Sequence, residues 1–238
     1  MTLVMTMGIG STFTLMTSDE RLAWRYWDRI EPIEDEREVK IHTLTDNVLL
    51  GWGQSHTIAT NIIEELSKVV KPDDTLDICK DKLEEVTKDI IMFRDVVIIL
   101  SGFYPDGTTG MVMKKTDTLA NELKLGDLEY RYSLFPPTGD YNDRQEELMH
   151  IEDFTPKRIV EEFPKLGYEA WLSKSMQIAL NHLVQLHGII SHEEPKATTP
   201  EGFYYLMYKD TQGKVQLVSG EFDTKQIHEQ LKKRDETG

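Results

Sequence analysis

Met1-Thr2-Leu3-Val4-Met5-Thr6-Met7-Gly8-Ile9-Gly10 opens the chain as an alternating run that stops at a Gly-x-Gly turn. A second run, residues 11–18, leads straight into Asp19-Glu20-Arg21. Two short runs around a tight glycine turn predict a β-hairpin whose first strand starts at the head of the chain. Removal of Met1 would leave Thr2 with its side-chain hydroxyl and a free α-amine on one residue. A threonine that uses its own terminal amine as base is a recognised activated nucleophile. Such an amine titrates at about 7.7–8.0, close to working pH, so it can accept and return a proton. The plainer reading of Thr2 is a strand-forming residue beside the first methionine, and Thr2 alone does not choose between the two.

Beyond this hairpin, residues 22–38 are polar, and Glu31-Pro32-Ile33-Glu34-Asp35-Glu36-Arg37-Glu38 reads as a solvated loop. Residues 39–44 and 48–53 flank the Thr45-Asp46-Asn47 turn as a second hairpin, and its continuous apolar run predicts a strand buried on both faces. Ser55 is placed to cap a helix to about residue 70, with Ile58, Ile62, Ile63 and Leu66 on one face. Thr75 can cap a second helix, along which Leu76, Cys79, Leu83, Val86, Ile90 and Phe93 recur at steps of three and four. Residues 96–102 and 109–114 read as strands around a Tyr104-Pro105-Asp106-Gly107 turn. Residues 117–153 carry the weakest pattern, with a strand at 130–134 and a break at Pro136-Pro137-Thr138-Gly139. Thr155-Pro156 is a helix start, residues 169–187 a third long helix, and 189–201 a loop. A hairpin of residues 202–209 and 214–220 and a short helix from Asp223 follow.

This order predicts one α+β domain over residues 1–238, with two sheets face to face and helices on their outer faces, an αββα arrangement. The net charge of −15 argues against nucleic acid and anionic membrane partners, which favour basic surfaces. Cys79 is the single cysteine, so an intrachain disulfide and a multi-cysteine metal site are excluded. The chain shows neither an apolar stretch of membrane-spanning length nor a basic segment leading into an apolar one, and the expectation is a cytoplasmic protein without a cofactor. His182, His187 and His192 recur at steps of five, off any one helical face and without zinc-motif spacing. They read as solvated or capping residues, and no metal site is expected.

Taken in order, these pieces resemble the proteasome-like N-terminal-nucleophile hydrolase family, including the bacterial peptidase that pairs with an unfoldase ring. Thr2-Leu3-Val4 is similar to the family's mature N-terminus, and Thr17-Ser18-Asp19-Glu20-Arg21 to its Asp-x-Arg element. Lys40-Ile41 resembles the strand start that carries the family's lysine, and residues 47–53 its glycine-bearing fourth strand. Residues 100–107 are similar to the strand and turn after the helix pair, so the resemblance covers residues 1–115.

The resemblance implies a four-layer αββα sandwich of the N-terminal-nucleophile type and a threonine-dependent peptidase working within a self-assembled ring. Peptides or unfolded proteins would be its substrates and an unfoldase ATPase its partner. The alternative is a non-catalytic proteasome-like paralogue serving assembly or partner binding. Thr2 would be the nucleophile, Lys40 would ease deprotonation of its hydroxyl, Asp19 would orient Lys40, and the Gly53 N–H would hold the oxyanion. Where the family carries Gly-Ser-Gly at the start of its third helix, this chain has Leu172-Ser173-Lys174-Ser175, which makes Ser173, or Ser175, the candidate serine. The spacing from Thr2 to Asp19 is one residue longer than the family's, and the acidic segment before Lys40 is longer too.

Overall fold

The computed structural model describes residues 3–25, 30–88, 96–115, 120–125, 130–135 and 166–229. Thr2, the 136–139 break and the Thr155-Pro156 helix start lie outside these residues. The opening hairpin forms as expected. Strand β1, Val4–Ile9, pairs antiparallel with β2, Phe13–Asp19, in the register Val4↔Ser18 to Ile9↔Phe13. Gly10 turns the chain between them with φ of +38°, a region that glycine enters without a Cβ clash.

The strand β3, Arg21–Arg25, pairs with β4, Ile30–Arg37, as a separate two-stranded sheet. This corrects the solvated loop expected over residues 31–38. Next come β5, Ile41–Thr45, and β6, Val48–Gln54, then helices α1, His56–Val69, and α2, Leu76–Lys88. Strands β7, Val96–Phe103, β8, Thr109–Lys115, β9, Asn121–Lys124, and β10, Tyr130–Phe135, precede the long helix α3, Tyr168–Glu193. The closing hairpin is β11, Glu201–Lys209, and β12, Val215–Asp223. One sheet has the order β10-β1-β2-β11-β12 and the other β5-β6-β7-β8-β9, with every pair antiparallel.

Strand alternation sorts the apolar residues into three clusters. Leu3, Met5, Met7, Ile9, Phe13 and Leu15 pack against Trp171, Ala179, Leu183, Leu186 and Ile190 of α3. From the opposite face of the same strands, Val4 and Met16 meet Ile41, Leu49, Val97, Ile99 and Phe103 of the second sheet. The outer face of that sheet sets Val48, Leu50, Trp52, Ile98 and Leu100 against α1 and α2. So β1, β2 and β7 are buried along their whole length, as strands covered on both faces must be. Burying a Leu, Ile or Val in such a layer is worth about 1.5–3 kcal/mol. Gly51 lets the two sheets approach, since a Cβ there would stand 2.6 Å from Met16 Sδ and 3.0 Å from Val4 Cγ1.

Candidate active site

The two chain segments that leave the β3–β4 hairpin carry Asp19 and Lys40. Asp19 ends β2, and Lys40 precedes β5, so the hairpin's two ends bring them together. Lys40 Nζ donates to Asp19 Oδ1 at 2.9 Å, and both side chains are fully buried. A buried ammonium requires an anion beside it, and here the expected pair is formed. Burial pushes the Lys40 pKa down, while Asp19 works against that fall through its charge and its hydrogen bond.

Asp19 holds more than Lys40. Its Oδ1 also accepts the Leu3 N–H at 2.9 Å, and its Oδ2 accepts the Arg21 N–H at 3.1 Å. The Asp19 N–H in turn donates to the Leu3 carbonyl at 3.1 Å. Lys40 Nζ makes a second bond, to the Arg21 carbonyl. An ammonium has three donors, so one remains uncommitted among the described residues. Thr2 is itself outside the described residues, but the peptide nitrogen that follows it is clamped by the carboxylate that holds the lysine. The Leu3 N–H and Arg21 carbonyl are backbone groups, and no side-chain pattern in the sequence announces them.

Gly53 lies on β6, where Trp52 N–H donates to the Lys40 carbonyl at 3.2 Å, so the glycine stands one residue beyond the strand position of the lysine. Gln54 follows with φ of +71°, the sole non-glycine residue with positive φ among the described residues. That turn carries the chain from β6 into α1, where Ser55 occupies the N-cap position as the sequence predicts but makes no side-chain cap hydrogen bond.

Ser173 is not brought to this cluster. It is exposed near the start of α3. Tyr168, one turn earlier, donates its hydroxyl to the Lys209 carbonyl at 3.3 Å, at the end of β11 remote from Gly202. Gly202 is the residue paired with Asp19, so α3 reaches the Asp19 end only with its C-terminal turns. Ser175 is buried in the same early part of the helix.

The helix brings His187 to that end instead. The ring is fully buried, donates from Nε2 to the Thr199 carbonyl at 2.7 Å and stands edge-on to Phe222 at 4.8 Å between centroids. Burial pushes its pKa down to about 4, against the pull of Asp19. His182 is likewise 2% exposed, with a pKa lowered to about 4 by burial. Neither is a solvated residue, which corrects the sequence reading; α3 also runs to Glu193, through residues expected to form a loop. Among the described residues no group of three or more His, Cys, Asp or Glu is placed to hold a metal ion, and no helix is long and apolar enough to cross a membrane.

The sequence matches no protein-family model and no curated protein. The structure is similar to a solved structure of the Gly-1 mutant of Anbu from Hyphomicrobium sp. strain MC1, with a TM-score of 0.60 at 8% identity. The match covers 100% of this chain and 96% of that one. At such low identity the likeness concerns the path of the backbone and assigns no residue its role. The chain shares its fold with a bacterial proteasome-like N-terminal-nucleophile hydrolase.

Proposed function

We propose that this chain is a threonine-dependent amide hydrolase, a peptidase with the four-layer αββα architecture of the proteasome-like proteins. One observation carries the reading: the Leu3 N–H and the Lys40 ammonium converge on the same oxygen of a fully buried Asp19. The residue before Leu3 is Thr2. The three apolar clusters, which set helices outside both sheets, support the architecture.

In this mechanism Met1 is removed and the Thr2 hydroxyl attacks a peptide carbonyl. Its proton passes to the α-amine, and the Lys40 charge lowers the cost of the alkoxide. The oxyanion of the tetrahedral intermediate needs a backbone donor other than the Gly53 N–H, because Trp52 N–H faces Lys40 and strand alternation turns the Gly53 N–H toward Val97 of β7. Collapse expels the amine product, which takes the proton from the α-amine, and leaves an acyl-threonine. Water then attacks the acyl carbon and gives its proton to the same amine, which returns it to the departing Thr2 oxygen as the acid product leaves. Ser173 has no part in this constellation. Peptides or unfolded proteins are the substrates, the working form is a self-assembled ring in the cytoplasm, and an unfoldase ATPase is the partner class.

The test combines intact mass with turnover of a fluorogenic peptide. Met1 should be absent, and Thr2→Ala should abolish turnover while the circular dichroism spectrum is kept. Turnover undiminished in Thr2→Ala would overturn the reading. Retained Met1 with no turnover would assign the chain to the non-catalytic alternative.

A further inference from the structure

A pocket of about 300 Å³ opens at the end of the first sheet that carries Asp19, and the mechanism above leaves it unused. That volume is at the lower end of the size range of ligand sites. Glu20, the residue after Asp19, and Gly202, the residue paired with Asp19, are among its walls. Arg37 joins them from the end of β4 and Phe222 from β12. The pairs Glu201↔Asp223 and Phe203↔Glu221 set Glu201, Glu221 and Asp223 on one face of the closing hairpin, and all three line the pocket.

The carboxylates there outnumber the cations. Lys225 Nζ reaches Glu201 Oε1 at 2.5 Å and Asp223 Oδ2 at 3.1 Å, and no ion pair reaches Glu221 among the described residues. Glu20 is a second, independent sign. It is 5% exposed, lines the pocket, and its Oε1 accepts no hydrogen bond. Arg37 Nη1 lies 2.7 Å from that oxygen as an ion pair without a hydrogen bond, and the arginine side chain is 70% exposed. Burial above all, and the charges of Glu201, Glu221 and Asp19, push the Glu20 pKa up against the pull of Arg37. A buried carboxylate oxygen without a hydrogen bond is costly, so it marks a place for a donor. An exposed ion pair contributes little, so Arg37 gives way readily to a better-placed cation.

We propose that this pocket binds an organic cation, a guanidinium or primary ammonium group on an apolar stem, with Glu20 as its hydrogen-bond acceptor and Glu221 as a second counter-charge. Phe222 and the backbone of Gly202 offer the stem an apolar wall, the way long basic side chains are usually accommodated. A bare metal ion does not fit, because no three His, Cys, Asp or Glu among the described residues are placed to hold one. The same head group occurs on a basic side chain of a peptide and on a free polyamine. Since the pocket adjoins Asp19, a peptide source would make it a subsite for a basic residue of the substrate. That use rests on the hydrolase reading above, whereas the binding itself does not.

The full chain is titrated by calorimetry with acetyl-arginine amide, with its uncharged analogue acetyl-citrulline amide, and with putrescine. The proteins are wild type, Glu20→Gln, Glu221→Gln, Arg37→Gln and, as a control for net charge, Glu85→Gln on the exposed side of α2. The arginine compound should saturate one site per chain, and the citrulline compound should bind at least about tenfold more weakly. Glu20→Gln should weaken the arginine compound about tenfold, the worth of one charge-assisted hydrogen bond, and Glu221→Gln by less. Arg37→Gln should tighten it by removing the competing guanidinium, and Glu85→Gln should leave it unchanged. Should Glu20→Gln disturb the fold, the opposite signs at Arg37 and Glu221 still decide. Arginine tighter than putrescine assigns the peptide source, and the reverse assigns the free polyamine. Equal binding of citrulline, the same loss in Glu85→Gln as in Glu20→Gln, or no saturation would overturn the proposal. Saturable binding in a protein that hydrolyses no peptide would keep the pocket and overturn the hydrolase reading, and turnover without binding would do the reverse.

Discussion

Lys40 is held where its charge must be neutralised on the spot, because its side chain is fully buried and so is that of Asp19. Replacing Lys40 by Met leaves the carboxylate with only the Leu3 and Arg21 amides, and breaking such a pair costs about 3–5 kcal/mol. The joint change Asp19→Asn with Lys40→Met should cost less than Lys40→Met alone, read as urea midpoints. A double variant as unstable as the single one would mean that the pair contributes nothing as a pair. His187 makes a second residue-scale prediction, and the sign follows from its pKa of about 4 when folded. An unfolded histidine titrates near 6.5, so the unfolded chain takes up the proton first. The stability from burying the neutral ring is complete above about pH 6.5 and drains away as pH falls toward 4, by as much as roughly 3 kcal/mol. Denaturation midpoints between these pH values should fall steeply in wild type and less steeply in His187→Gln; parallel slopes would refute the assignment. Asp19 and Lys40 were legible through the family resemblance, one at the end of the first readable hairpin and the other at the start of the second. His187 was not, because its burial depends on the Thr199 carbonyl and the Phe222 ring, which come from later elements.

The elements that the sequence announced are those with a buried face. Val48-Leu49-Leu50 reads as a strand covered on both sides, and Leu49 does face the first sheet while Val48 and Leu50 face the helices. The β3–β4 hairpin was illegible for the opposite reason: it forms its own two-stranded sheet, with Glu31, Pro32 and Arg37 exposed, so no alternation marks it. The last turns of α3 were lost to Gly188, a residue that weakens a helix. The structure gives that glycine a reason, since a Cβ there would come within 2.9 Å of Ile227 in the short helix after β12. Close approach also explains Gly51, and it makes a prediction. Gly51→Ala puts a methyl 2.6 Å from Met16 Sδ, and overpacking of this kind costs about 1–3 kcal/mol. Met16→Ala should cost less in the Gly51→Ala chain than it does in wild type, because it also relieves the clash. A double variant whose loss equals the sum of the single losses would show that the two sheets do not meet there.

At the scale of the molecule, the direction of α3 decided what sequence reasoning could not. A helix pattern fixes which residues face the sheet but not which end lies at the active site, and Ser173 was assigned to the wrong end for that reason. Assembly belongs to this scale as well. The family resemblance implies rings, and exposed Val69 on α1, Ile78 on α2 and Leu217 and Val218 on the edge strand β12 leave apolar surface for contacts between copies. Each copy carries a net charge of −15, so like-charge repulsion opposes any self-association. Raising the salt shortens the screening length from about 10 Å at 0.1 M to about 3 Å at 1 M. The protein should therefore sediment well above its monomer mass of 27.5 kDa at micromolar concentration, and the assembled fraction should grow with salt. Assembly held by salt bridges between copies would weaken with salt, and a monomer at every salt concentration would remove the ring from the proposed function while leaving the chemistry at Thr2 open to its own test.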